Sequence, residues 1–201
     1  MNWDEPRPPG WLNARVIAWA LFDLGVTIFS MIVISRYGGV WVVKELGGSV
    51  SNFNYTLSAS MAVAALFQVL LSPISDEMGR RRVFVLGFTL LCIVACAWMS
   101  LAPSLGMGLL LLGVSNLGYQ TASVFYNAML GDVADERHKA RISGIGVGLG
   151  YVGSIIGLLI SERLVYAEVH VYSFIFWAAA VLVLVFALPL FIFVREYIIR
   201  S

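Results

Sequence analysis

The chain has 201 residues, of which 60% are hydrophobic and only 12% charged, with a mean hydropathy of +0.87. Soluble domains run near about 25% charged, so a water-soluble globule is excluded and lipid must be the solvent for most of this surface. The net charge of +1 carries no nucleic-acid signature, and two cysteines in one apolar run, Cys92 and Cys96, have no Cys/His framework around them and point to neither a zinc site nor a disulfide scaffold.

In chain order, residues 1–14 form a polar cytoplasmic lead-in. Its start, MNWDEPRPPG, carries acids and three prolines and lacks the basic start and cleavage site of a signal peptide, so it is expected to stay with the mature protein. A spanning helix needs about 20 mostly apolar residues. Six runs qualify: Arg15–Ile34, continuing toward Val43, then Tyr55–Ile74, Val83–Ala102, Met107–Leu130, Ile142–Ile160 and Val171–Val194. Barrel strands would be about half as long and would alternate in polarity. These runs do not alternate. The expected fold is an all-α membrane protein with six transmembrane helices over residues 15–196 and a cytoplasmic tail at 197–201.

Lys and Arg set the orientation. With the N-terminus inside, the inner segments hold Arg7, Arg15, Arg80, Arg81, Arg82, Arg137, Lys139, Arg141, Arg195 and Arg200, and the outer segments only Arg36, Lys44 and Arg163. Ten against three places both termini in the cytoplasm. The expected location is multi-pass in a bacterial inner membrane, with the lipid bilayer as first partner.

The turn after the second run reads SPISDEMGRRR, residues 72–82. It resembles the loop between helices two and three of the major facilitator superfamily, G-x-x-x-D-x-x-G-R-R/K. Asp76, Gly79, Arg80 and Arg81 match, and Ser72 stands where the family prefers Gly. Residues 124–154, VFYNAMLGDVADERHKARISGIGVGLGYVGS, resemble the vacuole-effluxer branch of that superfamily (autophagy-related amino-acid effluxers and bacterial relatives) through Tyr126, Asn127, Ala128, Arg141, Ser143, Gly144, Gly150 and Tyr151. WALFDLGVTIF, residues 19–29, is similar to the branch's first helix at Trp19, Ala20, Asp23 and Phe29, while Val26 and Thr27 replace its Asn and Ser. The resemblance covers the N-terminal half of a twelve-span family. It implies half of a major-facilitator fold, a 3+3 inverted repeat, with the Asp76, Gly79, Arg80 and Arg81 loop gating between halves. It also implies a transported small solute, amino-acid-like.

Polar residues inside a bilayer are costly and should face other helices or water. Asp23, Thr27 and Ser30 share one face of the first helix, and Asn116, Gln120, Ser123 and Asn127 one face of the fourth. The third and sixth helices show no such stripe. The resemblance places helices one and four on a central cavity and three and six outside, in agreement with the stripes. Substrate or ion binding is therefore expected at Asp23, Thr27, Asn116, Gln120, Ser123 and Asn127, with Asp23 suited to a proton or a cationic group. The bland alternative is that these groups simply tie helices together, at under about 1 kcal/mol each.

In the fifth run, Gly146, Gly150, Gly153 and Gly157 share one face. Small residues at this spacing let helix backbones approach in lipid, so the face is expected to serve helix packing. No strand precedes these glycines, so they form no nucleotide loop. His138 and His170 have no second ligand at metal spacing, and no nucleophile–base constellation is present. Neither enzyme chemistry nor a cofactor nor a metal is expected. A half fold needs a second six-helix unit, and helices two and five are the expected contact. That unit is a copy or sister chain if transport is retained. The alternatives are a scaffold subunit of a larger membrane complex and a fragment of a twelve-helix transporter.

Overall fold

A computed structural model describes residues 12–166 and 171–194, and every regular element among them is helical. Helix α1, Ala14–Phe29, is started by Asn13, whose side chain accepts from the backbone of Arg15 and Val16 at 3.0 and 3.1 Å. This satisfies two amides that a helix start leaves orphaned. The rod continues through a π-helical stretch, Ser30–Tyr37, into α2, Gly38–Lys44. The Gly38 amide reaches back to the Val33 carbonyl, and a Cβ at Gly38 would lie 2.3 Å from that oxygen. The wide turn therefore needs glycine at its exit.

Helix α3, Val50–Met78, begins at a capping box in which Ser49 and Asn52 satisfy each other's backbone amides. It ends at Gly79, whose φ of 59° is left-handed and suits only glycine without strain. Helices α4, Arg81–Met99, α5, Leu105–Ala128, the short α6, Leu130–Val133, α7, Lys139–Tyr166, and α8, Val171–Phe193, complete the bundle. The second span runs longer than its apolar stretch, because the helix continues by capping and backbone bonding into more polar residues at its ends.

Five helical spans among the described residues are long and apolar enough to cross a membrane: Ala14–Lys44, Val50–Met78, Arg81–Met99, Lys139–Arg163 and Phe174–Phe193. The expected fourth span is α5. It has 24 residues, or about 36 Å of helix, but Ser115, Asn116, Tyr119, Gln120 and Thr121 dilute its apolar character.

The core lies where α1 packs on α7 and α8, and α4 packs on α5 and α8. Val16, Ala20, Phe22, Ile28 and Phe29 of α1 meet Phe176, Ala179, Val183 and Leu190 of α8 there. Helix α5 approaches α4 closely at Gly118, where a Cβ would sit 2.7 Å from the Cys92 amide nitrogen. The first span is the most enclosed, with 61% of its apolar window buried, and α3 the least, with 11%. Helix α7 follows at 28%, while α4 and α8 each reach 39%. Helices two and five, the expected contact with a second unit, are thus the least covered by the chain's own helices.

Candidate functional site

Helix α1 carries the polar face. Asp23, Thr27 and Ser30 are each half-buried. Asp23 and Thr27 lie against Gly150 of α7, where a Cβ would stand 2.8 Å from Asp23 Oδ2 and 3.1 Å from Thr27 Oγ1. The neighbouring glycines extend the contact. A Cβ at Gly146 would come within 2.7 Å of the Trp19 ring, one at Gly153 within 2.5 Å of the Leu24 carbonyl oxygen, and one at Gly157 within 3.4 Å of Ile28. The four-glycine face therefore does pack helices, but its wall is α1 of the same chain. A contact of helix five with a second unit would therefore need another face. Gly144 and Gly148 face open space, with nothing within 4 Å of a Cβ.

Beside Asp23 stand two tyrosines of α5 that the polar stripe did not single out as site residues. Trp19 Nε1 donates to the Tyr126 carbonyl at 3.2 Å, and the Trp19 and Phe22 rings stack on the Tyr126 ring at 4.6 and 4.7 Å between centroids. Tyr126 is buried, and its hydroxyl has no hydrogen-bond partner among the described residues. That hydroxyl lies 3.5 Å from the Cβ position of Gly146, on the same glycine face that Asp23 touches. Tyr119 packs on Phe29 at 5.4 Å, and its hydroxyl bonds with Ser30. Asp23 is near enough to act electrostatically on both tyrosines. The available signal was the seven-residue spacing of Tyr119 and Tyr126 inside an apolar run, since a tyrosine brings a polar tip that a buried site must satisfy.

The stripe on α5 divides. Asn116 is buried and donates through Nδ2 to Ser60 Oγ at 2.8 Å, and Ser60 donates to the Leu57 carbonyl at 2.8 Å. Asn116 thus ties α5 to α3. Gln120 is half-buried, and its backbone carbonyl accepts from Gln68 Nε2 at 3.1 Å. Ser123 donates back to the Tyr119 carbonyl at 2.8 Å, and Asn127 is exposed at the end of the helix. Further along α5, a groove of about 360 Å³ opens between α3 and α5, lined by Thr56, Ser60, Val63, Leu109, Gly113 and Leu117. Gly113 and Gln120 are seven residues apart, so groove and stripe share a face.

At the end of the bundle that carries the 72–82 turn, Arg81 gathers the charges. Its Nη2 meets Asp76 Oδ1 at 2.7 Å, and its Nη1 meets Asp132 Oδ2 at 3.3 Å and the Ala128 carbonyl at 3.2 Å. Arg82 donates to the Phe191 carbonyl of α8, and Arg80 is exposed. The Asp76–Arg81 pair, expected to meet another half, finds its partners at the adjoining ends of α5 and α6 in this chain. Asp132 lies four residues past α5, where the turn folds it back within Arg81's reach. At the opposite end, Arg36 of the π-helical stretch pairs with Glu162 of α7 at 2.7 Å.

A bundle of long apolar helices with polar atoms drawn inward and charges held at the two ends defines a multi-pass integral membrane protein. The Major Facilitator Superfamily profile matches residues 16–198, and the chain belongs to that superfamily of membrane transporters. It is similar to an uncharacterized protein of Aquifex aeolicus (strain VF5), 32% identical over 162 residues, covering 78% of this chain and 40% of the relative. It is also similar to an uncharacterized MFS-type transporter, YxiO, of Bacillus subtilis (strain 168), 31% identical over 153 residues, covering 72% of this chain and 36% of the relative. The chain therefore spans well under half the length of the curated relatives it matches.

Proposed function

We propose that this chain is a six-helix half of a major-facilitator transporter of the vacuole-effluxer branch, with α5 as the fourth of six spans and the 3+3 repeat of that fold. It is placed in a bacterial inner membrane with both termini cytoplasmic: 1–14 as lead-in, 15–196 as the membrane domain and 197–201 as tail. Paired with a second six-helix unit, it moves small amino-acid-like solutes by alternating access. Asp23 and Thr27, with Gln120, Ser123 and Asn127, face the shared pathway. Asn116 holds its wall, and the turn at Asp76, Gly79, Arg80 and Arg81 governs its inner end.

The observation that carries this reading is Asp23: a half-buried acid within a span, with no hydrogen-bond or ion-pair partner among the described residues. An unpaired carboxylate there is expensive, and a transport pathway is what gives it water, an ion or a solute. The length of the relatives, and the polar and small residues left open on α3 and α7 at Asn54, Ser58, Gly144 and Gly148, support the second unit. The test joins native mass measurement with uptake of labelled amino acids into vesicles, for wild type and Asp23→Asn. A lone 22.0 kDa chain that still transports would refute the pairing, and uptake indifferent to Asp23→Asn would refute the site. Recovery bound to a larger complex through α4 or α8, with no uptake, would replace the transporter reading with that of a scaffold subunit.

A further inference from the structure

We propose that the groove between α3 and α5 holds one acyl chain of a bilayer phospholipid, which enters from the leaflet at the end of the bundle opposite the 72–82 turn. The proposal rests on the membrane location of the chain and not on transport. The groove runs over two turns of α3, from Thr56 to Val63, or about 10 Å. At its mouth Tyr55 is 75% exposed, and Trp98, at the same end of the bundle on α4, is 58% exposed. Amphipathic rings of this kind sit at headgroup level, so the groove begins at the interface and runs toward the bilayer centre. One turn past Val63, the Phe67 and Phe88 rings meet edge-on at 6.1 Å between centroids. They join α3 to α4 and close the deep end. The floor is bare backbone: a Cβ at Gly113 would stand 3.3 Å from Thr56 Cγ2 and 3.9 Å from Ser60 Cβ.

The lining selects the occupant. No charged residue borders the groove. The Ser60 hydroxyl donates to the Leu57 carbonyl and accepts from Asn116 Nδ2, both at 2.8 Å, so it needs nothing from a ligand. Thr56 presents its methyl carbon to Gly113. An amino-acid-like solute would leave its charged groups unpaired there. A second protein unit would be drawn to Asn54 and Ser58, which lie two residues to either side of Thr56. Two residues turn a helix by about 200°, so both face away from the groove. What remains is an apolar slot edged by the exposed Val63 and Leu110. A lipid chain has no hydrophobic reason to leave its neighbours. The gain is dispersion, because a concave wall of two helices touches the chain on more than one side.

The full chain, reconstituted in dioleoylphosphatidylcholine bilayers and released into mild detergent, is weighed by native mass spectrometry. Wild type should keep one phospholipid per chain. Gly113→Leu, which fills the floor, and Ala59→Leu, which fills the groove from the exposed side of α3, should each lower the retained fraction several-fold. Ala59→Leu decides the matter if Gly113→Leu fails to fold. Ala65→Leu, exposed on the same side of α3 as Asn54, should retain the lipid as wild type does. Dihexanoylphosphatidylcholine, with the same headgroup and chains too short to fill the slot, should not be retained. A wild type that keeps no lipid would overturn the proposal, as would full retention in Ala59→Leu or equal retention of the short-chain lipid. So would crosslinking of an Ala59→Cys variant to a second protein chain in the membrane, because protein would then occupy the groove.

Discussion

Substituting Gly153 with Ala should loosen the whole α1–α7 contact. The added methyl would stand 2.5 Å from the Leu24 carbonyl oxygen and 3.2 Å from both Leu24 C and Cα, all backbone atoms. No side-chain rotation relieves this. The helices must part by about 0.9 Å for the closest contact to reach the 3.4 Å at which ordinary packing begins. A gap of that size forfeits roughly a quarter to a half of each dispersion contact along the seam, and Trp19 over Gly146 and Asp23 over Gly150 lie on that seam. Overpacking of this kind costs about 1–3 kcal/mol, and a backbone obstacle places Gly153 at the upper end. Removing a helical glycine returns about 0.8–1.0 kcal/mol, so the net loss should be about 2 kcal/mol. Gly144→Ala and Gly148→Ala meet nothing within 4 Å and should keep the propensity gain, about 0.5–1 kcal/mol. Chemical unfolding of the purified protein, followed by far-UV circular dichroism, measures the three variants side by side. If Gly153→Ala unfolds together with Gly144→Ala, the glycine seam is not where α1 and α7 meet.

Cysteine substitutions should show the turn at Gly47–Ser51 labelled by an impermeant reagent from outside and the turn at Arg80–Arg82 only from inside; Cys92 and Cys96 are buried, and reversed labelling would overturn the topology. Asn116→Ala should cost about 0.6 kcal/mol, up to about 1.7, by removing the bond to Ser60, and an equal loss in Ser60→Ala with no further loss in the double variant would locate the effect in that pair. Arg81→Ala frees Asp76, Asp132 and the Ala128 carbonyl together. Its stability change should stay within about 1 kcal/mol because these ion pairs face solvent, while amide exchange should quicken around α6, and unchanged exchange there would contradict the tie.

Helix positions were legible because lipid forces apolar runs of spanning length, and composition alone carries that constraint. The glycine face was legible as a packing face through its spacing, but not its partner: spacing reports which residues align, not which helix they meet. The same holds for Arg81, where the motif marks a charge cluster and Asp132 answers it only because the chain folds back after α5. At the candidate site, Asp23 and Thr27 stand out in the sequence through the oddity of polar atoms in an apolar run. Tyr119 and Tyr126 do not, since tyrosine counts as apolar in such a pattern and shows its polar end only when the neighbours are known. Asn116 looked like a pathway residue and turned out to bond Ser60, because an amide on the inner face of a helix serves lining and tying with the same sequence signature.

The light cover on α3 and α7 must be read with the solvent in mind. Tyr55, Leu66, Val69 and Leu70 of α3 and Ile155 and Leu159 of α7 are all well exposed, and in water such faces would demand a partner. In lipid they demand none, because acyl chains are as apolar as leucine. What lipid does not satisfy is the polar and the small: Asn54 and Ser58 on the exposed side of α3, and Gly144 and Gly148 on that of α7. A partner helix gives the amide and hydroxyl a hydrogen bond and lets its backbone reach the glycines at full dispersion contact. The case for a second unit therefore rests on those four residues rather than on the larger apolar area around them. Replacing Asn54 with Leu should leave the fold of the single chain intact and weaken only its pairing.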